Sequence, residues 1–133
     1  EGVRVLGPAR KASQVELALT DAFKLGVKPP VRDSGQHEGT PGIKIVGPKG
    51  EVDLQSGVIV AARHIHMTPE QAQKYNLKDG DHVKVVVDGE RGGVFDRVLI
   101  RVSPNYALDF HVDTDVGNAF GFQNGQIVTA VVE

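Results

Sequence analysis

Sixteen glycines and seven prolines cut this 133-residue chain into short pieces. Proline removes a backbone donor, and glycine loses more freedom on ordering than any other residue, so neither suits a long helix. The chain is therefore expected to be turn-rich and not a helical bundle. Its length suits one ordinary domain or two very small ones and allows a real core.

Apolar patterning between the breakers points to strands. Gly2–Leu6 reads as a strand entered abruptly, so further sequence is expected to precede it. Val15, Leu17 and Leu19 alternate with Gln14, Glu16 and Ala18, the period of a strand. A helix capped by Ser13-x-x-Glu16 is the competing reading. The strand is preferred because a better helix start follows: Thr20-Asp21 can cap a short turn over Ala22–Leu25, ended by Gly26. Residues 26–42 read as a long loop, with turn signals at Pro29-Pro30, Asp33-Ser34-Gly35 and Pro41-Gly42. Ile43–Val46 and Glu51–Leu54 form a hairpin around Pro48-Lys49-Gly50. Val58–Ala62 is a continuous apolar run, hence a buried strand, leading to Arg63-His64-Ile65-His66.

Thr68-Pro69-Glu70-Gln71 is the clearest local signal. Thr68 caps a helix, Pro69 takes its first position, and Gln71 completes a capping box. That helix is expected to run to about Lys74. Strands follow at His82–Val87, Val94–Val102, Leu108–Val112 and Gln126–Val132. A short helical turn is expected at Asn105–Ala107, and a loop or helical turn at Thr114–Ala119. About eight short strands joined by turns and short helices predict a mainly β protein of small β-barrels. The boundary falls near residue 61, giving a barrel domain over 1–61 and a second over 62–133 that carries the histidine motifs.

The net charge of −2 argues against a general nucleic-acid binder or a polybasic membrane module. No apolar run is long enough for a transmembrane helix, and no signal peptide opens the chain. The absence of cysteine excludes disulfides, thiolate metal sites and a cysteine nucleophile.

Five histidines remain as chemistry-bearing groups: His37, His64, His66, His82 and His111. Residues two apart in a strand share a face, so His64 and His66 can point at one ion. Two partly exposed histidines at a strand end would give the same spacing. His111, Asp113 and Asp115 alternate, so an extended backbone would set all three on one face. That face needs partners or a metal if it is buried, and the two carboxylates could orient the histidines. A solvated strand edge would read alike. Three imidazoles with an open position would make a catalytic metal site. Arg10 and Lys11 follow the turn Gly7-Pro8-Ala9, where an arginine fork could hold a phosphate or simply be exposed.

Longer motifs carry a resemblance. Arg4-Val5-Leu6-Gly7-Pro8-Ala9-Arg10, Gln14-Val15-Glu16, Thr20-Asp21-Ala22-Phe23-Lys24-Leu25-Gly26 and Pro29-Pro30-Val31-Arg32-Asp33-Ser34-Gly35 occur in that order. Ala61-Ala62-Arg63-His64-Ile65-His66-Met67-Thr68-Pro69 and His111-Val112-Asp113-Thr114-Asp115-Val116-Gly117-Asn118-Ala119 follow. Across essentially its whole length the chain resembles the PduL-type phosphotransacylases, also called phosphate propanoyltransferases. The resemblance implies two β-barrel domains and two zinc ions between them. It implies reversible exchange of coenzyme A for phosphate on a short-chain acyl group, so the partners would be CoA or acyl-CoA and phosphate or acyl phosphate. His64, His66 and His111 would hold one zinc, Glu16 would contribute to the second, and Arg10 would bind phosphate. Phe23, Ser34 and Asn118 carry over as CoA neighbours. The setting would be the bacterial cytoplasm, including the interior of a bacterial microcompartment.

The family has a further His-x-His nearer the N-terminus, and nothing before Arg10 matches it. His37 and His82 are each unpaired in sequence. The chain therefore reads as the larger C-terminal part of such an enzyme, holding one or two zincs, with one or both barrels incomplete. The exposed strand edges would be covered by the missing N-terminal segment or by a neighbouring subunit in a homo-oligomer. With no cysteine and no convincing Ser-His-Asp order, direct attack by phosphate is favoured over an acyl-enzyme.

Two alternatives compete. His64-x-His66-(x)3-Glu70 has the spacing of cupin-like metal oxygenases and isomerases, although Thr68-Pro69 should turn Glu70 onto a helix. Leu77-x-x-Gly80-Asp81-x-Val83 is common in small barrels, including non-catalytic ones.

Overall fold

A computed structural model describes residues 2–132. Glu1 and Glu133, the outer limits of the two expected domains, lie outside the described residues. The fold is mainly β and holds two compact units, Glu1–Val60 and Ala61–Glu133.

In the first unit β1 (Val15–Glu16), α1 (Leu19–Leu25), β2 (Val31–Arg32), β3 (Ile43–Gly47), β4 (Gly50–Leu54) and β5 (Val58–Ala61) follow in order. Val58 and Ile59 are fully buried because β5 is the central strand of a three-stranded sheet, ordered β1-β5-β2. Val58, Ile59 and Val60 are all buried, so the apolar run fills both faces of a strand that is covered on both. β1 runs parallel to it, with Val15 opposite Val58 and Glu16 opposite Ile59. β3 and β4 form a separate antiparallel hairpin.

Several sequence expectations change here. The strand expected over 15–19 stops at Glu16, because α1 begins at Leu19, three residues before the expected start. Ala18 takes the N-cap position with no side-chain cap, and burial of Ala18 and Ala22 holds the helix in place of the expected Thr20-Asp21 cap. Gly26 ends α1 in the left-handed region, at φ 68°, as expected of a helix-terminating glycine. The loop over 26–42 contains the short strand β2, and the carbonyl of Pro30 accepts from the Val60 N–H at 3.0 Å. Pairing of this kind gives the backbone groups of a buried strand the partners they require. Gly2–Leu6 is not in a strand among the described residues. Val3, Val5 and Leu6 are exposed, and an apolar alternation without a ladder partner does not make a strand.

The second unit holds β6 (His64–Met67), α2 (Pro69–Lys74), β7 (His82–Val87), β8 (Gly93–Val102), β9 (Asp109–His111), α3 (Thr114–Phe120) and β10 (Thr129–Val131). Its five-stranded sheet runs β10-β7-β8-β6-β9. β6 is parallel to β8 and antiparallel to β9, while β7 and β8 pair antiparallel with an irregularity between Val83 and Val85. Ile65, Met67, Val83, Val85, Val87, Phe95, Val98 and Ile100 form the core on one face. Strand alternation then sends His64 and His66 to the other face.

α2 starts as its sequence predicts. The Gln71 N–H donates to Thr68 Oγ1 at 3.3 Å, and the Thr68 N–H donates to Gln71 Oε1 at 2.9 Å. Thr68→Ala removes one half of this box and is expected to lower stability by about 1 kcal/mol, with Thr68→Ser close to the parent. Urea denaturation checks this; equal midpoints for the alanine and serine variants would refute it.

Elsewhere the unit departs from the sequence reading. Residues 114–120 form a true helix, because the Asp113 carboxylate accepts from the Val116 N–H at 2.9 Å and caps it. Residues 105–107 are not helical; a turn at Pro104-Asn105 is closed by Tyr106 N–H on the Ser103 carbonyl at 3.1 Å. β9 is confined to Asp109–His111. The strand expected over Gln126–Val132 reduces to Thr129–Val131, since a turn with Gln126 N–H on the Gln123 carbonyl occupies its first part. Among the described residues no helix is long and apolar enough to cross a membrane.

Candidate functional site

The polar face of the second unit is ordered by register. Along one row His111 of β9 lies opposite His64 of β6, which lies opposite Leu99 of β8. Along the next, Asp109, His66 and Arg101 stand side by side on the same three strands. The sheet thus gathers His64, His66 and His111. Their ring centroids are 4.7 Å apart for His64–His66, 4.5 Å for His66–His111 and 5.1 Å for His64–His111.

His66 is held well below the ordinary imidazole range, at about 4. Burial is the largest cause, followed by repulsion from His64, His111 and Arg101, with Asp109 pulling the other way. His64 Nδ1 lies 2.8 Å from the Ala62 carbonyl. A carbonyl can only accept, so Nδ1 carries the proton and the lone pair of the neutral ring sits on Nε2. A backbone carbonyl fixing the tautomer in this way is the usual arrangement behind a metal-ligating histidine.

The donor chemistry therefore suits a metal ion, although the rings as they stand are stacked and tilted against one another. Among the described residues no group of three or more His, Asp or Glu side chains converges on a metal position. Glu70, the third member of the cupin-like spacing, is exposed in the first turn of α2. Its carboxyl is held below the usual range, chiefly by a hydrogen bond from the Thr68 side chain.

Asp113 and Asp115 do not share an extended face with His111, because the chain turns into α3 at Asp113. The carboxylate beside His111 is that of Asp109, with Oδ2 3.9 Å from Nε2. The sequence reading also missed Tyr106, whose ring stacks on His66 at 3.9 Å. It missed Arg101 as well, which only the parallel register of β6 and β8 brings beside His66.

In the first unit Arg10 and Ser34, widely separated in sequence, meet: Arg10 Nη1 donates to Ser34 Oγ at 3.1 Å. Gln14 Nε2 donates to the same oxygen at 2.9 Å and to Glu16 Oε1 at 2.8 Å. Gln14 Oε1 accepts from the Gly35 N–H at 2.7 Å and pairs with His37 Nε2 at 2.9 Å. Gly35 has φ 98° in a turn closed by Gln36 N–H on the Asp33 carbonyl, a conformation suited to glycine. Arg10, Glu16 and Ser34 thus belong to one polar cluster, which also recruits Gln14 and His37. The alternation of Gln14 with Glu16 on one strand face was the available sequence signal. Phe23 lies apart from these polar contacts, 86% exposed on α1, beside a groove of about 720 Å³ also lined by Lys28 and Pro29. Asn118 is exposed on α3.

Comparison with known proteins bears on this arrangement. The phosphate propanoyltransferase family matches residues 1–123. The phosphate propanoyltransferase of Thermotoga maritima is 58% identical over 132 residues, covering 98% of this chain and 63% of its own length. That of Lachnoclostridium phytofermentans is 55% identical over 129 residues, covering 97% and 61%. That of Salmonella typhimurium is 51% identical over 125 residues, covering 93% and 60%. The chain spans about three-fifths of the length of these curated relatives.

Proposed function

The chain belongs to the phosphate propanoyltransferase family, and we propose that it takes part in the exchange of coenzyme A and phosphate on a short-chain acyl group. The observation that carries this reading is the family match over residues 1–123, which contains Arg10, Glu16, Ser34 and all three clustered histidines. In the reaction a phosphate oxygen bonds to the thioester carbonyl carbon and the carbon–sulfur bond breaks. The thiolate leaves with the bonding pair and takes up a proton, giving acyl phosphate and CoA.

His64, His66 and His111 would hold one zinc ion, and Glu16 would contribute to a second. Bound zinc supplies Lewis acidity, toward the thioester carbonyl or toward the departing thiolate. Arg10 would hold phosphate through two of its N–H groups, neutralising charge that otherwise repels an incoming anion. Holding phosphate beside the acyl carbon also raises its effective concentration. With its pKa lowered to about 4, chiefly by burial, His66 would offer a metal a neutral ring at neutral pH, with no proton to expel. By the family resemblance Phe23, Ser34 and Asn118 would be neighbours of CoA; Lys28 lines the same groove as Phe23. The bacterial cytoplasm, or a microcompartment within it, is the setting this reading implies.

The test mixes the intact protein with propanoyl-CoA and inorganic phosphate and follows thiol release with a thiol reagent. This sequence contributes no cysteine, so the signal comes from CoA. Phosphate-dependent thiol release with matching acyl phosphate is expected; thiol release indifferent to phosphate would mark a hydrolase and refute the reading.

Arg10→Lys keeps the charge but loses the planar fork. It is expected to raise the KM for phosphate roughly tenfold, the scale of one charge-assisted hydrogen bond, with the KM for propanoyl-CoA little changed. Kinetics varying each substrate separately decide this; an unchanged phosphate dependence would remove Arg10 from the phosphate site.

A further inference from the structure

We propose that Gln14 is the positioning residue of the anion site, fixing Ser34, and through it Arg10, with the donor end of its amide. The inference rests on the reading of Arg10 as the phosphate-binding residue.

Hydrogen-bond inventory fixes the amide orientation. The Glu16 carboxylate beside Gln14 accepts, so the atom facing it is the amide nitrogen. The Gly35 N–H only donates, so the atom facing it is the amide oxygen. His37 Nε2 faces that same oxygen and must carry a proton. Both Gln14 amide hydrogens and both acceptor positions on its oxygen are engaged.

Ser34 completes the chain of constraints. Its Oγ accepts from Arg10 Nη1 at 3.1 Å and from Gln14 Nε2 at 2.9 Å. With both hydroxyl lone pairs used, the remaining hydroxyl proton points away from these donors and can be given to an anion oxygen. The Arg10 guanidinium beside it presents further N–H groups of the same polarity. A single glutamine thereby sets one wall of an oxyanion site and ties it to Glu16, the expected ligand of the second zinc. Its acceptor end separately anchors the Gly35–His37 loop.

The two ends of the amide can be tested apart. Gln14→Glu keeps the acceptor end, so Gly35 and His37 retain a partner, but it loses both donors and sets a carboxylate against Glu16. Gln14→Met keeps the side-chain volume and loses both ends. Binding of inorganic phosphate to the intact protein is measured by titration calorimetry for the parent and both variants, with thermal melting as the folding control. Both variants are expected to bind phosphate roughly tenfold or more weakly, with the glutamate variant melting near the parent because its loop anchor survives. Parent-like phosphate binding by Gln14→Glu would overturn the donor role and leave only loop anchoring. Phosphate binding undetectable in the parent itself would overturn the site and the inference together. Acyl transfer is assayed separately. Phosphate binding that falls in the variants while the parent transfers no acyl group would support Gln14 and refute the proposed reaction.

Discussion

If the histidine cluster holds zinc as proposed, replacing His66 by alanine is expected to remove one zinc per chain and to lower acyl transfer at least about a hundredfold. Losing a residue that merely orients a metal ligand already weakens metal affinity or activity by about 10- to 100-fold, so losing a ligand should do no less. His66 sits at the centre of its row, between Asp109 and Arg101, and its ring is within 4.7 Å of both other imidazoles, centroid to centroid. Its removal leaves a two-histidine site, too few for the three-ligand pattern of catalytic zinc. The ring also stacks on Tyr106, so the variant's melting temperature is measured beside its zinc content. His82→Ala is the control, because His82 lies on β7, beyond Leu99 from the histidine cluster. Elemental analysis of the two purified variants decides the matter. A His66→Ala protein that keeps its full zinc while remaining folded would show that the cluster does not hold the metal.

How much of this could be read beforehand depends on how local the cause is. The α2 start was legible because Thr68, Pro69 and Gln71 settle it among themselves within one turn. The side to which His64 and His66 point was legible because Ile65 and Met67 alternate with them into the core. Asp113 was misread because the same alternating residues serve either an extended strand or a helix cap, and the cap hydrogen bond to Val116 decides in favour of the helix. α1 began early because burial of Ala18 and Ala22 outweighed the better capping chemistry at Thr20-Asp21. β2 was hidden in a loop because two residues carry no period; the pairing with β5 creates it. Arg101 and Tyr106 were out of reach for a different reason. Their position beside His66 is fixed by strand order and a return of the chain, which no local pattern records. The hub role of Gln14 lay between these cases. Its spacing from Glu16 was local, but its bonds to Ser34, Gly35 and His37 depend on a turn some twenty residues away.

Phe95→Ala should be the most damaging of these changes to stability, by about 3–5 kcal/mol, as for other large-to-small replacements at buried aromatic sites. Phe95 is 5% exposed on β8. Its ring centroid is 3.9 Å from that of Phe120 on α3, 6.1 Å from Phe110 on β9 and 6.2 Å from Phe122. The Arg63 guanidinium also lies 5.1 Å over its face. The alanine would lose contacts to β9, to α3 and to the residue preceding His64 at once. Domains of this size have only about 5–15 kcal/mol of net stability, so a large share of it is at stake. Phe110 stands between Asp109 and His111 on β9, so a cavity against its ring loosens the strand that carries His111. If the cluster holds zinc as proposed, weaker zinc retention is therefore expected in Phe95→Ala, although Phe95 belongs to the core and not to the histidine cluster. Phe95→Leu refills most of the space and is expected to lose well under half as much stability, with zinc content near the parent. Urea denaturation of both variants, each with its zinc content measured, gives the comparison. A loss below about 1 kcal/mol for the alanine variant would mean that the aromatic cluster is not what holds β9 and α3 to the sheet.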